Sequence, residues 1–566
     1  MKIKFKLSKI IENALKSADI EADDIVISDA SKPEFGDYQF NGIMKLAKEL
    51  KRNPREVATE VAELIETTGM IEKVEVAGPG FINIWLSDRW LAQETSAIID
   101  DERIGVGYAE QPQRVVVDYS GPNMAKQMHV GHLRSTIIGD SIATLLAFLG
   151  DEVIRQNHIG DWGTQFGMLI AYLEEQNTDG NTQELKDLEQ FYKNAKVRFD
   201  ESEAFANKAR DYVVKIQSGD EHCLKLWESF INASLGHCED VYEKLNVKLT
   251  REDVRAESFY NDQLPKVIET LKEKGISTNS NGAECVFLEG DETPIIIQKS
   301  DGGYLYATTD LAALNYRNDV LKADRICYVV DARQAQHFKQ VFSISKQAAM
   351  VNEAVALEHI GFGTMMDKSG KPFKTRDGGT VKLVDLLDEA VARAKETIKD
   401  RNVHSEEELE SVAKAIGIGA VKYADLSINR ESNYIFSWDK MLSFEGNTAL
   451  YMQYAYARIQ SILRKYDGKL EGKIMINDEI EHRLALMILK FEDVLSKAAV
   501  DATPHAITSY LYDVVVAFMK FYEENPILKE GVEEELRQSR LQLAILTASL
   551  IQKGLELLGI EVVEKI

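Results

Sequence analysis

The sequence predicts a multidomain α/β protein in which a parallel-sheet domain with a helical insertion lies between an N-terminal α+β domain and a C-terminal all-α bundle. Its 566 residues are enough for about four domains. After Arg114 short apolar runs alternate with helical patterns, which is typical of a parallel sheet. After Glu406 the apolar residues recur almost entirely at helical spacing. We therefore expect domains at residues 1–110, 111–405 and 406–566.

The composition is that of a globular protein: 45% of the residues are hydrophobic, 28% are charged, and the net charge is −25. This charge argues against non-specific nucleic-acid binding, which needs lysine and arginine to neutralise phosphates, but it leaves room for a local basic surface. No apolar run approaches the roughly 18 residues that cross a bilayer. Ser8 and Glu12 interrupt the basic N-terminus, so no signal peptide is indicated. We expect a cytoplasmic protein without membrane contact.

The four cysteines stand far apart in the sequence and form no Cys-x-x-Cys pair. Their spacing fits neither a disulfide framework nor a zinc motif. The number of residues between the pairs His222-Cys223 and His237-Cys238 matches no common spacing of zinc ligands. We expect reduced thiols, no metal site and no structural zinc.

The N-terminal region alternates helical and strand patterns up to a boundary near Pro112. The turn Gly78-Pro79-Gly80 separates two strand patterns, and Pro54 suits the start of a helix. The sequence predicts helices over Leu7–Ala18, Asn41–Leu50, Pro54–Ile65 and Asp88–Ile99, and strands over Ile25–Ser28, Lys73–Ala77 and Phe81–Leu86.

The central region opens with an apolar run, Val115 to Val117, which predicts a buried parallel strand. A polar loop and a helix beginning near Gly131 follow, and a second strand over Glu152–Gln156 completes a β-α-β unit. A long, charged, mostly helical insertion reaches about Leu245. Further strands are predicted over Ala283–Leu288, Ile295–Gln298, Tyr304–Thr308 and Arg325–Val330.

The junction between the first strand and its helix carries the motif His129-Val-Gly-His132. Free backbone N–H groups and the helix dipole make such a junction a phosphate site. Two imidazoles can donate to phosphate oxygens, and Gly131 permits a close approach of a base or ribose. An ordinary β-α turn with two surface histidines is the alternative.

A loop from Gly363 to Thr380 carries Lys368, Lys371, Lys374 and Arg376. Mobile cations of this kind could stabilise the charge that builds up on a triphosphate as pyrophosphate leaves. A solvated loop without a ligand is the alternative.

Polar residues also follow several predicted strands, where a parallel sheet places its binding sites. Asp118, Ser120 and Asn123 follow the first strand, Tyr306 and Asp310 come later, and Gln334 follows Val330. Together they offer carboxylates and carbonyl oxygens to a planar cation with five N–H donors, a guanidinium. Ordinary surface or capping roles are the alternative.

One long motif resembles a known family. Asn123-Met-Ala-Lys-Gln-Met-His-Val-Gly-His-Leu-Arg-Ser-Thr-Ile-Ile-Gly-Asp140 is similar to the signature of class I aminoacyl-tRNA synthetases in its arginyl, bacterial form. The similarity continues through four further segments that span nearly the whole chain: Asn157–Gly167, Lys299–Asp310, Gly370–Leu383 and Glu445–Arg458.

The resemblance implies a Rossmann-like catalytic domain and a role for each candidate residue. His129, Gly131 and His132 would contact ATP, and Asp118, Ser120, Asn123, Tyr306, Asp310 and Gln334 would bind arginine. From the lysine-rich loop we expect Lys371 and Lys374 to contact ATP, and which lysine serves the pyrophosphate stays open. Residues 1–110 would contact the elbow of the tRNA through Phe81 and Asn83, and the C-terminal bundle would bind the anticodon.

Two features depart from the family pattern. The usual second signature, Lys-Met-Ser-Lys-Ser, is absent, and Phe373-Lys-Thr-Arg376 stands in its place. The resemblance assigns the missing cation to Lys126, which would join His129 and His132 in catalysis. The chain ends Val562-Val-Glu-Lys-Ile566, where relatives commonly have proline and a terminal methionine.

The implied reaction is the ATP-dependent activation of L-arginine to arginyl-adenylate and its transfer to the 3′ end of the cognate tRNA. Expected partners are ATP as a substrate with Mg²⁺, L-arginine and tRNA, with the enzyme a monomer that activates arginine only after tRNA has bound. Two alternatives are a related nucleotidyltransferase, which would lack the helical bundle, and a non-catalytic tRNA-binding relative, which would have lost the site residues.

Overall fold

The computed structural model describes residues 3–67, 69–124, 126–176, 188–291, 293–373, 381–400 and 405–566. Its N-terminal unit contains four helices and four strands: α1 (Ile3–Ser17), β1 (Ile27–Asp29), β2 (Tyr38–Phe40), α2 (Ile43–Leu50), α3 (Pro54–Glu63), β3 (Ile71–Ala77), β4 (Phe81–Leu86) and α4 (Asp88–Ala97). The strands form one antiparallel sheet in the order β1-β2-β4-β3. Every predicted element is present, and β2 is an additional strand.

The central unit is built on a parallel sheet with helices around it. Its first elements are β5 (Arg114–Asp118), α5 (Val130–Leu149) and β6 (Glu152–Gln156). The predicted insertion contains α6 (Thr164–Glu175), α7 (Leu188–Glu201), α8 (Glu203–Gln217) and α9 (Glu221–Lys244). The rest comprises α10 (Leu264–Glu273), β7 (Ser277–Ser280), β8 (Ala283–Val286), β9 (Ile295–Gln298), α11 (Tyr306–Asp319), β10 (Arg325–Tyr328), α12 (Ala335–Gln347), β11 (Ala356–His359), β12 (Met365–Met366) and α13 (Leu383–Ile398).

The four parallel strands lie in the order β11-β10-β5-β6. Val115, Val116 and Val117 are completely buried in β5, because both faces of a parallel sheet are covered. Since β5 is a central strand next to β10, the loops that leave their carboxyl ends meet at one edge of the sheet. This edge holds the candidate site.

The predicted strand Tyr304–Thr308 is wrong. Tyr304 makes only an isolated bridge to Gln298, and α11 begins at Tyr306. The aromatic and β-branched residues of this segment suggested a strand, but Ala307, Leu311 and Leu314 are buried at helical spacing. Burial of that helical face against the sheet outweighs the local strand preference.

The C-terminal region is almost entirely helical, with one short strand that pairs with β12. It contains α14 (Glu406–Leu426), β13 (Tyr434–Ile435), α15 (Trp438–Met441), α16 (Ala449–Leu463), α17 (Glu479–Leu489), α18 (Phe491–Asp501), α19 (Pro504–Glu524) and α20 (Glu534–Leu557). Among the described residues no helix is long and apolar enough to cross a membrane.

A buried ion pair joins the bundle to the helix that begins at the candidate site. Arg134 of α5 and Asp425 of α14 are both buried, with Nε 3.0 Å from Oδ2. Arg134 also donates to the Ser432 carbonyl oxygen at 3.0 Å. Because these contacts are closed to solvent, loss of either side chain would leave the other charge buried and uncompensated at the junction of α5 and the bundle.

His482 of α17 joins the bundle to the N-terminal unit. Its Nδ1 lies 2.6 Å from Asp88 Oδ1, and its Nε2 lies 3.0 Å from Asp37 Oδ1. Burial disfavours the charged form of the imidazole, but the two carboxylates stabilise it more strongly. The pKa of His482 is therefore raised to about 9. The histidine is therefore a cation at neutral pH, shared between two carboxylates of the other unit.

This contact predicts a pH-dependent stability. Because the pKa of His482 is raised from 6.5 to about 9, its stabilisation is complete below pH 6.5 and is lost as the pH rises through 9. We expect a loss of about 1–3 kcal/mol over this window, seen as a lower thermal midpoint at alkaline pH. The His482→Gln variant should be less stable than the parent protein at pH 7, and its free energy of unfolding should fall less as the pH rises through 9. If the free energy of unfolding fell equally with pH in the two proteins, the prediction would be contradicted.

Candidate active site

A cavity of about 400 Å³ opens at the carboxyl ends of β5 and β10. Tyr328, Phe338 and Phe362 give it apolar walls, while four carboxylates, two histidines and several hydroxyl groups provide its polar lining. Such a mixture of apolar walls and a few converging polar groups is typical of a small-molecule site. Seven residues predicted from the sequence line it: Asp118, Ser120, Gly131, His132, Tyr306, Asp310 and Gln334.

Other predicted residues lie around the cavity rather than on its lining. Asn123 forms a bridge with Gly160, and its side chain occupies the space where a β-carbon of that glycine would stand. Lys126 extends from the loop, with Nζ 4.8 Å from the centre of the Tyr192 ring. Lys371 is exposed in a turn, where its N–H donates to Asp367 Oδ1 at 3.1 Å. Lys374 lies outside the described residues.

The two histidines of the motif cap the N-terminus of α5. His129 Nδ1 accepts from the Gly131 N–H at 3.0 Å, and the His129 N–H donates to His132 Nδ1 at 3.1 Å. The two rings lie 4.0 Å apart between centroids. Because Nδ1 of each ring accepts a hydrogen bond, a neutral imidazole must carry its proton on Nε2. Both rings are therefore oriented as Nε2–H donors.

Burial and repulsion from His129 lower the pKa of His132 to about 3. His132 is consequently neutral at physiological pH and offers a hydrogen-bond donor without a permanent charge. Gly131 is required between the two rings for a steric reason, because a β-carbon there would lie 2.7 Å from the His129 ring. The sequence predicts a close approach by a ligand at this glycine, which lines the cavity, and that contact stays a prediction; the His129 ring is a second, internal reason for a glycine here.

Asp118, at the end of β5, already has a cationic partner within the protein. Its Oδ2 accepts from Arg317 Nη2 at 2.7 Å, and Arg317 is completely buried. The guanidinium also donates to Gln156 Oε1 at 2.7 Å and lies 4.7 Å from the centre of the Tyr328 ring. Asp118 and Arg317 therefore neutralise each other, with Asp118 on the cavity lining and Arg317 buried behind it.

Asp310 lies on the opposite wall, in the first turns of α11. Its Oδ2 is 2.6 Å from His337 Nε2, and the His337 ring lies 4.7 Å from the ring of Tyr306. The Tyr306 side chain is 64% exposed, so its ring covers the mouth of the cavity rather than its floor. This wall combines a carboxylate with an aromatic face, and both suit a planar cation.

Sequence reasoning missed Glu257, which also lines the cavity. Glu257 begins a 3₁₀ helix after the helical insertion, and among the described residues its carboxylate forms no ion pair. Burial, together with repulsion from Asp161 and Asp310, raises its pKa to about 7. An unpaired carboxylate in a cavity is a strong candidate for binding a cation. No local motif marks it in the sequence, since only the folded chain brings it to the site.

The described part of the chain contains no cluster of three or more histidine, cysteine or carboxylate side chains that could hold a metal ion. The four cysteines are free and buried. Burial raises the pKa of Cys223 to about 11 and of Cys238 to about 12, so neither is a thiolate at neutral pH.

Comparison with known proteins assigns this arrangement to a class. Residues 94–438 match the family model described as tRNA synthetases class I (R), catalytic domain. Residues 6–86 match the arginyl tRNA synthetase N terminal domain, and residues 452–566 match the DALR anticodon binding domain. The fold and the site together define a class I aminoacyl-tRNA synthetase.

Individual relatives show which family within this class the chain belongs to. The chain is 53% identical to an arginine–tRNA ligase of Chromobacterium violaceum, with 99% of each protein covered, and 54% identical to that of Laribacter hongkongensis, with 97% of each covered. The solved arginyl-tRNA synthetase of Plasmodium falciparum superimposes with a TM-score of 0.87 at 32% identity, covering 100% of this chain and 99% of that one. The chain belongs to the arginyl-tRNA synthetase family. It is an arginine–tRNA ligase, which confirms the family resemblance and the fold class predicted from its motifs.

Proposed function

We propose that the cavity binds arginine with its guanidinium towards Glu257 and Asp310, and places its carboxylate beside the phosphates of ATP at the N-terminus of α5. The Glu257 carboxylate is the observation that carries this proposal, because it lines the cavity, is half-buried and has no ion-pair partner among the described residues, so that a cationic ligand would favour its charged form. Asp310 and Tyr306 supply the opposite wall, and Gln334 closes one end. Asp118 acts mainly through its pair with Arg317, while Ser120 and Asn123 belong to the loop above it.

In the first step, a carboxylate oxygen of arginine attacks the α-phosphorus of ATP. The bond to the bridging oxygen breaks, pyrophosphate leaves, and arginyl-adenylate forms. In the second step, a ribose hydroxyl at the 3′ end of tRNA attacks the arginyl carbonyl carbon, and AMP leaves. The substrates provide both nucleophiles, so the protein contributes positioning and electrostatic stabilisation.

The nucleotide side of the site uses the two imidazoles. The Nε2–H groups of His129 and His132 donate to phosphate oxygens as negative charge builds on them. Lys126, Lys371 and Lys374 are the candidate cations for the departing pyrophosphate. Lys126 and Lys371 lie outside the cavity lining, and Lys374 lies outside the described residues. Mg²⁺ would enter the site as an ion bound by the phosphate oxygens of ATP.

The remaining assignments concern tRNA and the molecule as a whole. Phe81 begins β4 and is half-buried, whereas Asn83 is only 2% exposed and accepts from Gln39 Nε2 at 2.6 Å. We therefore assign Phe81 to direct contact with the tRNA elbow and Asn83 to contact through Gln39. The enzyme is proposed to work as a cytoplasmic monomer with domains at residues 1–110, 111–405 and 406–566, the last of them binding the anticodon.

Arginine-dependent exchange between ATP and pyrophosphate tests the catalytic proposal. Purified protein should catalyse this exchange with arginine and not with lysine, because lysine leaves the acceptors of a guanidinium site unpaired. Parallel assays with and without tRNA decide whether tRNA must bind before activation. If pyrophosphate exchange were absent both with and without tRNA, the proposed chemistry would be contradicted.

Glu257→Gln should raise the KM for arginine by about 10²-fold, since it removes one partner of a desolvated ion pair. The parent enzyme should lose arginine affinity as the pH falls from about 8 to about 6, because Glu257 with a pKa of about 7 becomes neutral. The variant should show little of this pH dependence.

Asp310→Asn should likewise raise the KM for arginine more than that for ATP. Equal effects on both substrates would place these carboxylates outside the arginine subsite.

A further inference from the structure

His482 joins the two parts of the chain that are assigned to tRNA. It belongs to α17 of the bundle and is half-buried. Because it is a cation at neutral pH, both of its ring nitrogens donate, Nε2 to Asp37 Oδ1 at 3.0 Å and Nδ1 to Asp88 Oδ1 at 2.6 Å. Both acceptors belong to the N-terminal unit, so one imidazolium spans the joint between the two units.

The carboxylate of Asp37 is bonded in turn to the strand that carries the proposed tRNA contact. Its Oδ2 accepts from the Leu86 N–H at 2.7 Å, and Leu86 is the last residue of β4. Phe81, which is assigned to the tRNA elbow, is the first residue of the same strand. Two successive hydrogen bonds therefore lead from the bundle to the end of β4 that lies away from Phe81.

Lys490 makes a second charged contact at the same end of the sheet. It directly follows α17, and its Nζ lies 2.6 Å from Asp29 Oδ1 and 4.9 Å from the centre of the Tyr38 ring. Asp29 and Tyr38 are register partners in β1 and β2. Two cations of the bundle thus contact β1, β2 and, through Asp37, β4.

The two units are not packed against each other along the whole joint. A cavity of about 630 Å³ lies between them beside His482, with Pro33 and Trp85 of the N-terminal unit and Arg483 and Met487 of the bundle on its lining. Side-chain packing leaves room for rotation at this place, and the charged contacts beside the cavity limit that rotation.

The sheet transmits any rotation at this joint to the tRNA contact. The six residues of β4 span about 17 Å, so a tilt of about 10° at the Leu86 end would displace Phe81 by about 3 Å. A displacement of this size separates Phe81 from a tRNA that the bundle already holds at its anticodon.

We infer that His482 is a positioning residue for tRNA, which fixes the angle between the sheet that contacts the elbow and the bundle that binds the anticodon. The inference rests on the proposed function, because it takes both tRNA contacts from it. Two linked contacts bind more tightly than either alone only when their spacing matches the ligand. Loss of His482 should therefore weaken the binding of whole tRNA without weakening the anticodon contact by itself.

His482→Gln keeps a polar side chain and removes the charge that the two carboxylates share. At a temperature well below its unfolding midpoint, the variant should bind whole tRNA about tenfold more weakly, with the KM for tRNA raised by the same factor. Its affinity for an isolated anticodon stem-loop should equal that of the parent protein. At saturating tRNA the KM values for arginine and ATP should not change.

Asp88→Asn is a second, milder variant of the same contact. It removes the more exposed of the two carboxylates, since the side chains of Asp88 and Asp37 are 49% and 11% exposed. It should weaken whole tRNA in the same direction by a smaller factor. His505→Gln is the matched control and should bind tRNA normally, because this histidine of α19 has Nδ1 without a hydrogen-bond partner among the described residues.

A double-mutant cycle separates this inference from the proposed tRNA contacts. Phe81→Ala should weaken tRNA binding, and adding His482→Gln to it should cause little further loss, because the contact that His482 positions is already absent. If Phe81→Ala leaves tRNA binding unchanged, or if the stem-loop does not bind the parent protein, the proposed contacts themselves are wrong. If Phe81→Ala weakens tRNA binding and His482→Gln does not, if the two losses add, or if the stem-loop is weakened as much as whole tRNA, the inference about His482 fails alone.

Discussion

Replacement of His132 with alanine is expected to lower kcat for arginine activation by about 10²–10³-fold, as loss of one preorganised transition-state donor does. His132 is neutral at working pH, and its Nδ1 accepts the His129 N–H, so its Nε2–H faces the site with its direction already set. A donor fixed in this way needs no reorganisation when charge builds on the α-phosphate. The KM for arginine should change little, since the guanidinium subsite lies on other elements.

The measurement is single-turnover adenylate formation together with steady-state pyrophosphate exchange. The same variant removes the acceptor of the His129 N–H, so thermal unfolding must show that the helix cap survives. His222→Ala is the matched control, since that histidine lies on α9 with a side chain 68% exposed. A normal rate in folded His132→Ala would mean that the motif only caps a helix.

Some features of this fold are encoded within a few residues of sequence, and others arise only in the folded chain. The strand at Val115–Val117 and the histidine pair at the start of α5 could be predicted, because burial on both faces and the motif leave marks within a few residues. The segment from Tyr304 was misassigned, since its strand-like composition is outweighed by burial against the sheet. Local sequence cannot reveal which distant face will bury a segment.

The site shows the same division. Ser120, His132 and Asp310 were predicted and lie on one cavity. Glu257 was missed because only tertiary folding surrounds it with two other carboxylates and raises its pKa. Asp118 and Arg317 are 199 positions apart in the sequence. No periodicity in either segment predicts that they form an ion pair. Electrostatic partners are a property of the folded chain.

That ion pair has the largest expected effect on stability. Arg317→Met keeps a side chain of similar length but leaves Asp118 as an uncompensated carboxylate on the cavity lining, with Gln156 Oε1 losing its donor as well. Breaking a buried pair by removing one partner costs about 3–5 kcal/mol, because the remaining charge keeps its desolvation penalty. We expect a correspondingly lower midpoint of urea unfolding for the central unit and a reduced yield of folded enzyme.

The double variant Arg317→Met/Asp118→Asn separates charge from packing. If the cost comes from the unpaired carboxylate, its neutralisation should restore most of the lost stability, even though the double variant has no ion pair at all. Arg114→Met is the control for an exposed pair, since Arg114 and Glu152 are 38% and 60% exposed and their contact should contribute less than about 1 kcal/mol. A double variant no more stable than Arg317→Met would attribute the effect to packing around Tyr328, 4.7 Å from the guanidinium, rather than to charge.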